Sequence, residues 1–326
     1  MIGVVLALLA AVFFGCANVM VKKGSTPQSV DNGTFLSVLI TFVLAGIFTV
    51  GSGLFQGWVP LTTKGFWWFV LAGILTAFIG RMLLFTSIQH LGSVRASAIK
   101  RLNPLFTVLI GVLFLHEPIN LLTVIGMVFI FGASTVLMFE SFTDYTRAKK
   151  EIAATTQTNK KVGSLIEGED KRNIWVKGIQ LVASLGYMYG VISALAYSIG
   201  YVVRKEGLAE IPDPFMGTMI GAAVGILIFL FLSLFKKRNR QSIKLTFTTF
   251  RPWLFGAGIA TSLGQILYFF ALTFSGVSQV AVIGSTDVIF TLLLSSLIFK
   301  TNEGITRTVV LASVLAMTGA GIIAIS

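Results

Sequence analysis

The sequence predicts an all-α polytopic membrane protein whose ten transmembrane helices form two inverted five-helix repeats. Three observations predict it. Of 326 residues, 55% are apolar and 12% charged, with a mean hydropathy of +0.88, a balance foreign to water-soluble globular chains. Ten apolar runs are separated by charged or turn-forming breaks, each near the length of about 20 residues that crosses about 30 Å of hydrocarbon. Two stretches of the first half also align without gaps on two of the second.

The first run, about 2–21, stops at Lys22 and Lys23, and the second covers about 33–54. The third (about 66–88) and fourth (about 94–115) are joined by a few residues and must form an antiparallel hairpin. The fifth covers about 119–139 and opens after Glu117, an acid suited to a helix start. Residues 140–178 are polar, charged and poor in large apolar side chains, and read as a solvated linker between a first unit, 1–139, and a second, 179–326. The second unit holds runs at about 179–203, 214–235, 252–274, 277–299 and 306–325, with a basic loop at 236–251 and Glu303 before the last run. Gly186/Gly190 and Gly221/Gly225 are spaced to admit close helix contacts.

The repeat is specific. "ALLAAVFFGCANVMVKKG" (7–24) aligns on "GVISALAYSIGYVVRKEG" (190–207), and "GRMLLFTSIQHLGSVRASAIKRLNPLFT" (80–107) on "GQILYFFALTFSGVSQVAVIGSTDVIFT" (264–291). The second pair shares Gly80/Gly264, Phe85/Phe269, Gly92/Gly276, Ile99/Ile283, Phe106/Phe290 and Thr107/Thr291. Because five is odd, the second copy crosses the membrane in the opposite sense to the first, the construction of many secondary transporters.

These same stretches carry a family resemblance. "SIQHLGSVRASAI…NPLFTVLIGVLFLHEPINLLTVIGMVFIFGA" resembles the end of an EamA domain of the drug/metabolite transporter superfamily, and "ALTFSGVSQVAVI…DVIFTLL" resembles a second such domain. The resemblance covers nearly the whole chain except the linker. It implies ten helices around a central cavity and movement of small metabolites or drugs by alternating access. Asn103-Pro104 stands where the family pattern has an acid and a proline, whereas Asp287-Val288 keeps the acid and loses the proline.

The fourth run answers to helical spacing from Ser93. Ser93, Ser97, Lys100, Pro104, Thr107 and Gly111 share one face, with Asn103 beside it, while Leu102, Leu105, Phe106, Leu109 and Leu113 cover the others. In the repeat-mate, Gly284, Asp287, Thr291 and Ser295 replace Lys100, Asn103, Thr107 and Gly111. Both copies turn a polar face inward, and Pro104 is expected to kink its helix. At 1.5 Å per residue Lys100 and Arg81 each lie about 9–10 Å into the core, at one level. They could attract an anionic solute together or pair with Asp287, while Lys100 and Arg101 have snorkelling as an alternative. Asp287 lies about 15 Å into its run, near the midplane. Asn18, Tyr197, Tyr201, Gln265 and Tyr268 are candidate cavity-lining residues, with interhelical hydrogen bonding as the other use of such groups. Arg95 reads as an interfacial anchor.

Other chemistries find no support. A lone cysteine, Cys16, and two histidines, His90 and His116, suit neither a disulfide nor a metal site, and no GxxxxGK[ST] loop points to nucleotide hydrolysis. An enzyme, a cofactor and a nucleic-acid partner are not expected. The expected partners are the lipid bilayer, a small-molecule solute with a carboxylate or phosphate, and a coupling proton at Asp287. Alternatives are a cationic drug exported against Asp287 as counter-ion, and a scaffold that transports nothing. Seventeen Lys and Arg lie in the connections after the odd-numbered runs, against three, Lys64, Arg204 and Lys205, on the other side. The positive-inside rule therefore puts the linker in the cytoplasm of a multi-pass cell-membrane protein and both termini outside, whereas the family resemblance implies termini inside.

Overall fold

The computed structural model describes residues 1–100, 102–115, most of 120–139, 169–297 and part of 307–322, with only the backbone path over 169–185. Arg101, His116, Glu117, Glu303, the linker up to residue 168 and the Arg95 side chain lie outside the described residues.

All regular structure among the described residues is helical. Helix α1 spans Ile2–Gly24 and α2 Thr34–Gln56. Helix α3, Thr63–Ala72, is capped by the Thr62 hydroxyl and runs through a π-helical stretch, Gly73–Gly80, into α4, Arg81–Leu91. Helices α5 (Ser93–Lys100) and α6 (Leu102–Leu115) follow, and helical residues recur through the described parts of 121–139 and 307–322. The second half comprises α7 (Glu169–Glu210), α8 (Pro214–Phe235), α9 (Lys237–Thr248), α10 (Pro252–Phe274), α11 (Val277–Gly284) and α12 (Asp287–Leu297). Seven helical stretches among the described residues are long and apolar enough to cross a membrane.

Three elements differ from the sequence expectation. The loop expected at 236–251 contains α9, a basic helix with no buried residue, tied to the 25–33 connection where Ser242 donates to Asp31 Oδ1 at 2.8 Å. Helix α7 begins at Glu169, inside the predicted linker. The run expected to be continuous over 277–299 breaks at Ser285 and Thr286. There the Ser285 hydroxyl donates to Val282 O at 2.6 Å and the Thr286 hydroxyl to Ile283 O at 2.8 Å. Local side-chain bonds of this kind compete with the helical ladder, and Asp287 is left in the first turn of a new helix.

The bundle is apolar outside and carries polar side chains among the apolar ones within. Val5, Leu9, Val43, Ile47, Leu227 and Phe231 are exposed, whereas Ser37, Thr41, Ser87, Ser97, Ser193 and Ser198 are buried. Lipid solvates the first set, and the second finds hydrogen-bond partners across helices or along its own. Ser87, for example, donates to Gly186 O at 2.9 Å and Ser193 to Gly80 O at 2.7 Å.

Contacts between the halves are reciprocal. Helix α1 packs on α10 and α12, while α7 packs on α3, α4 and α6. A Cβ placed on Gly80 would stand 3.0 Å from the Tyr197 ring, and one on Gly264 3.0 Å from the Phe14 ring. Gly80 aligns with Gly264, and Phe14 with Tyr197. In the same way a Cβ on Gly15 would meet Asp287 O at 2.9 Å, and Ser198, aligned with Gly15, donates to Asn103 O at 2.9 Å.

Candidate functional site

Lys100 lies on α5 in the first half of the chain and Asp287 opens α12 in the second, so the two residues face one another across the bundle. Their side chains form an ion pair, Nζ to Oδ2, at 3.0 Å. The pair is largely shielded, with 12% of the Lys100 side chain and 3% of that of Asp287 accessible. Lys100 Nζ also lies 4.9 Å from the Phe14 ring centre and 5.7 Å from that of Tyr197, within reach of a cation–π attraction.

Two clefts adjoin this pair. Both are narrow in this conformation, each with room for about one water molecule. Both are walled by Phe14, Lys100, Tyr201 and Tyr268. Asn18, Tyr197 and Gln265 border the larger and Asn103 and Asp287 the smaller. Tyr201 stacks on Tyr268 with ring centres 4.3 Å apart and lies 5.6 Å from Tyr197, so one wall is a continuous aromatic face.

Eight of the nine residues singled out from sequence therefore border the clefts. Several also bond between helices. Asn18 donates to Ser97 Oγ at 3.1 Å and Thr291 Oγ1 at 3.4 Å, and Asn103 Oδ1 accepts from Ser198 of α7 at 3.1 Å besides Thr107 of its own helix at 2.9 Å. Arg81 is the ninth. Wholly buried, it donates from Nη1 to Ser37 Oγ at 3.1 Å and Thr41 Oγ1 at 2.9 Å, and from Nη2 to Gln265 Oε1. It is not among the residues that border either cleft.

Arg204 is the residue that sequence reading missed. The charge count put it in an aqueous connection, but the structure buries it at 1% exposure on the wall of the larger cleft. Of the three cations assigned to the sparse side, Lys64 and Lys205 have partners of their own. Lys64 pairs with Glu210 at 2.6 Å, and Lys205 donates to Leu272 O and Ser275 O at the end of α10. A signal for Arg204 was present, since Tyr197, Tyr201 and Arg204 follow one another at i+4 and i+3 along a single helix face.

A helical membrane bundle whose two halves enclose a charged, aromatic cleft has the architecture of a solute transporter. The family model described as "EamA-like transporter family" matches residues 1–139 and 184–325, and the chain belongs to that family. It is accordingly a multi-pass membrane protein of a family that transports small molecules. A solved structure titled "Crystal structure of protein" is similar in fold, with a TM-score of 0.58 and 16% identity over 97% of this chain and 98% of its own. Among curated proteins, none matches.

Proposed function

We propose that the chain is a secondary transporter that moves a small organic anion, such as an amino acid or another carboxylate or phosphate metabolite, by alternating access between two inverted five-helix repeats. The Lys100–Asp287 ion pair carries this reading. It is held between the halves, one partner from each, beside the helix break at Ser285 and Thr286, and inverted-repeat transporters place their substrate and ion sites at such a position. Breaking a shielded pair is costly unless a substitute charge arrives. An anion entering the cleft supplies one for Lys100, and the released Asp287 can then take the coupling proton. The reciprocal contacts of Gly80 with Tyr197 and Gly264 with Phe14 support a two-fold relation between the repeats. A cationic drug finds Asp287 already occupied by Lys100, which favours the anionic reading.

In the proposed orientation the 140–178 linker and the basic helix α9 face the cytoplasm of the cell, as the excess of Lys and Arg on that side favours. Flux of radiolabelled anions, cations and neutral solutes into vesicles reconstituted with the purified protein tests the function. Saturable anion uptake that responds to an imposed pH gradient is expected. Uptake restricted to cations would transfer the role of Asp287 to substrate binding, and absence of any flux would leave a scaffold.

A further inference from the structure

Three cations are shielded in the interior of the bundle among the described residues, and they differ in what surrounds them. Lys100 has its carboxylate. Arg81 is held by three side-chain oxygens from α2 and α10, one of them that of Gln265 on the larger cleft, leaves only its Nε without an acceptor, and does not itself border either cleft. Arg204 makes one hydrogen bond, Nη2 to Thr76 Oγ1 at 2.7 Å. Its Nε and Nη1 are buried without an acceptor, and no carboxylate among the described residues pairs with it. The guanidinium instead lies 3.7 Å from the centre of the Phe269 ring.

Such an arrangement is costly. A buried donor left without an acceptor is destabilising, more so on a charged group, and the cation–π contact offsets only part of that. A guanidinium with open donors on the wall of a cleft is therefore suited to a ligand that completes it. A second polar group in the same cleft is in the same condition, since Thr261 Oγ1 is buried and has no partner. Two such groups, one from α7 and one from α10, converge on a single space.

We propose that Arg204 and Thr261 form the seat for the carboxylate of a small monoanionic solute. This deepens the transport reading above and rests on it for its physiological meaning. A carboxylate brings two acceptor oxygens to a guanidinium fork, and its charge offers Arg204 the counter-charge that no carboxylate among the described residues supplies. A phosphate dianion carries a second charge that Arg204 and Thr261 do not balance. The Tyr201–Tyr268 stack borders the same cleft and gives the organic part of the solute an apolar flank. Thr76 lies within the π-helical stretch Gly73–Gly80, so the wider turn of that stretch holds the hydroxyl that steadies the guanidinium.

The test uses the full-length protein, purified in detergent, with acetate, butyrate and benzoate as probes, the corresponding neutral amides as isosteres, and inorganic phosphate and chloride as other anions. A ligand that binds the folded state raises its melting temperature by mass action. At least one carboxylate is expected to stabilise the wild type at millimolar concentration while its amide, phosphate and chloride do not. In Arg204→Gln the apparent affinity should fall at least tenfold, and in Thr261→Val severalfold. Should Arg204→Gln fail to fold, Arg204→Lys keeps the charge without the fork and should still bind at least fivefold more weakly. Equal stabilisation of wild type and Arg204 variants, equal stabilisation by carboxylate and amide or by every anion, or no stabilisation by any carboxylate, overturns the proposal. Vesicle flux of the same probes separates it from the transport reading: Arg204-dependent binding without flux keeps the seat and removes the transport, whereas anion flux insensitive to Arg204 does the reverse.

Discussion

Arg81 donates to Gln265, and the two residues hold corresponding positions in the two halves of the chain, directly after Gly80 and Gly264. Equivalent residues can touch only beside the axis that exchanges their repeats. In the proposed two-fold arrangement the Arg81–Gln265 bond thus marks that axis, and the polar side chains around it, Ser37, Thr41 and Ser262, form its lining. Thr41 joins the two sides through a 2.8 Å bond to Ser262.

The first prediction concerns Arg81 as a tie between halves. Arg81→Gln removes three hydrogen bonds made by a charged donor, and the apparent melting temperature should fall by the equivalent of about 2 kcal/mol. Carboxylate affinity, measured as binding to the protein that remains folded, should change by less than threefold. A large loss of affinity with unchanged stability would return Arg81 to the substrate site beside Lys100.

Asp287→Asn leaves Lys100 in a shielded position without its counter-charge, and the loss of stability should reach about 3–5 kcal/mol. Adding Lys100→Met to the same protein removes the stranded charge and should restore most of it, because the pair is lost as a unit. Thermal melts of the two single variants and the double variant measure the coupling. Additive effects would show that the two side chains do not sense one another. In transport, Asp287→Asn should abolish accumulation driven by a pH gradient, and the double variant should not recover it.

The close approach of α1 to α12 is testable at one glycine. A Cβ on Gly15 would meet Phe290 Cβ at 2.7 Å and main-chain atoms of Asp287 and Thr291 at 2.9 Å. Backbone cannot step aside, and Gly15→Ala should cost about 1–3 kcal/mol. Gly51 in α2 has nothing within 4 Å of a Cβ, so Gly51→Ala should be neutral or stabilising by up to about 1 kcal/mol. Equal melting temperatures for the two variants would remove the tight α1–α12 contact.

The proposed orientation is checked at α9. In a Cys16→Ser background, Gln241→Cys on the exposed side of this helix should react with an impermeant maleimide only after the cells are opened. Labelling in intact cells would invert the topology and agree instead with termini inside.

Hydropathy revealed the runs because a bilayer demands long apolar helices, and the gapless alignment of 80–107 on 264–291 paired Arg81 with Gln265 before any contact was known. Lys100 and Asp287 were visible as charges inside apolar runs. Their pairing was one of two options there, and geometry selected it. Arg204 escaped because a hydropathy window ends a run at the first charge, although the helix continues to Glu210 and buries the guanidinium on Phe269. The break at Ser285 and Thr286 depends on hydroxyls turning back onto the main chain, a choice that Ser and Thr make or decline according to neighbours distant in sequence. The π-helical stretch Gly73–Gly80 has no sequence signature of its own and packs at Gly73 against Gly221 of α8.

The packing of α1 also sets an order of assembly. Asn18 of α1 bonds to Thr291, 273 residues further along the chain, an interval of roughly 15–55 s at ribosomal rates of about 5–20 residues per second. For that time the small-residue face of α1, with Ala7, Ala10 and Gly15, has no lasting neighbour and must be kept by lipid or by an insertion chaperone. A polypeptide of residues 1–139 made alone should therefore be degraded in the cell, and separate expression of 179–326 beside it should rescue both fragments. Stable accumulation of the first fragment by itself would show that α1 finds its place before the second half exists.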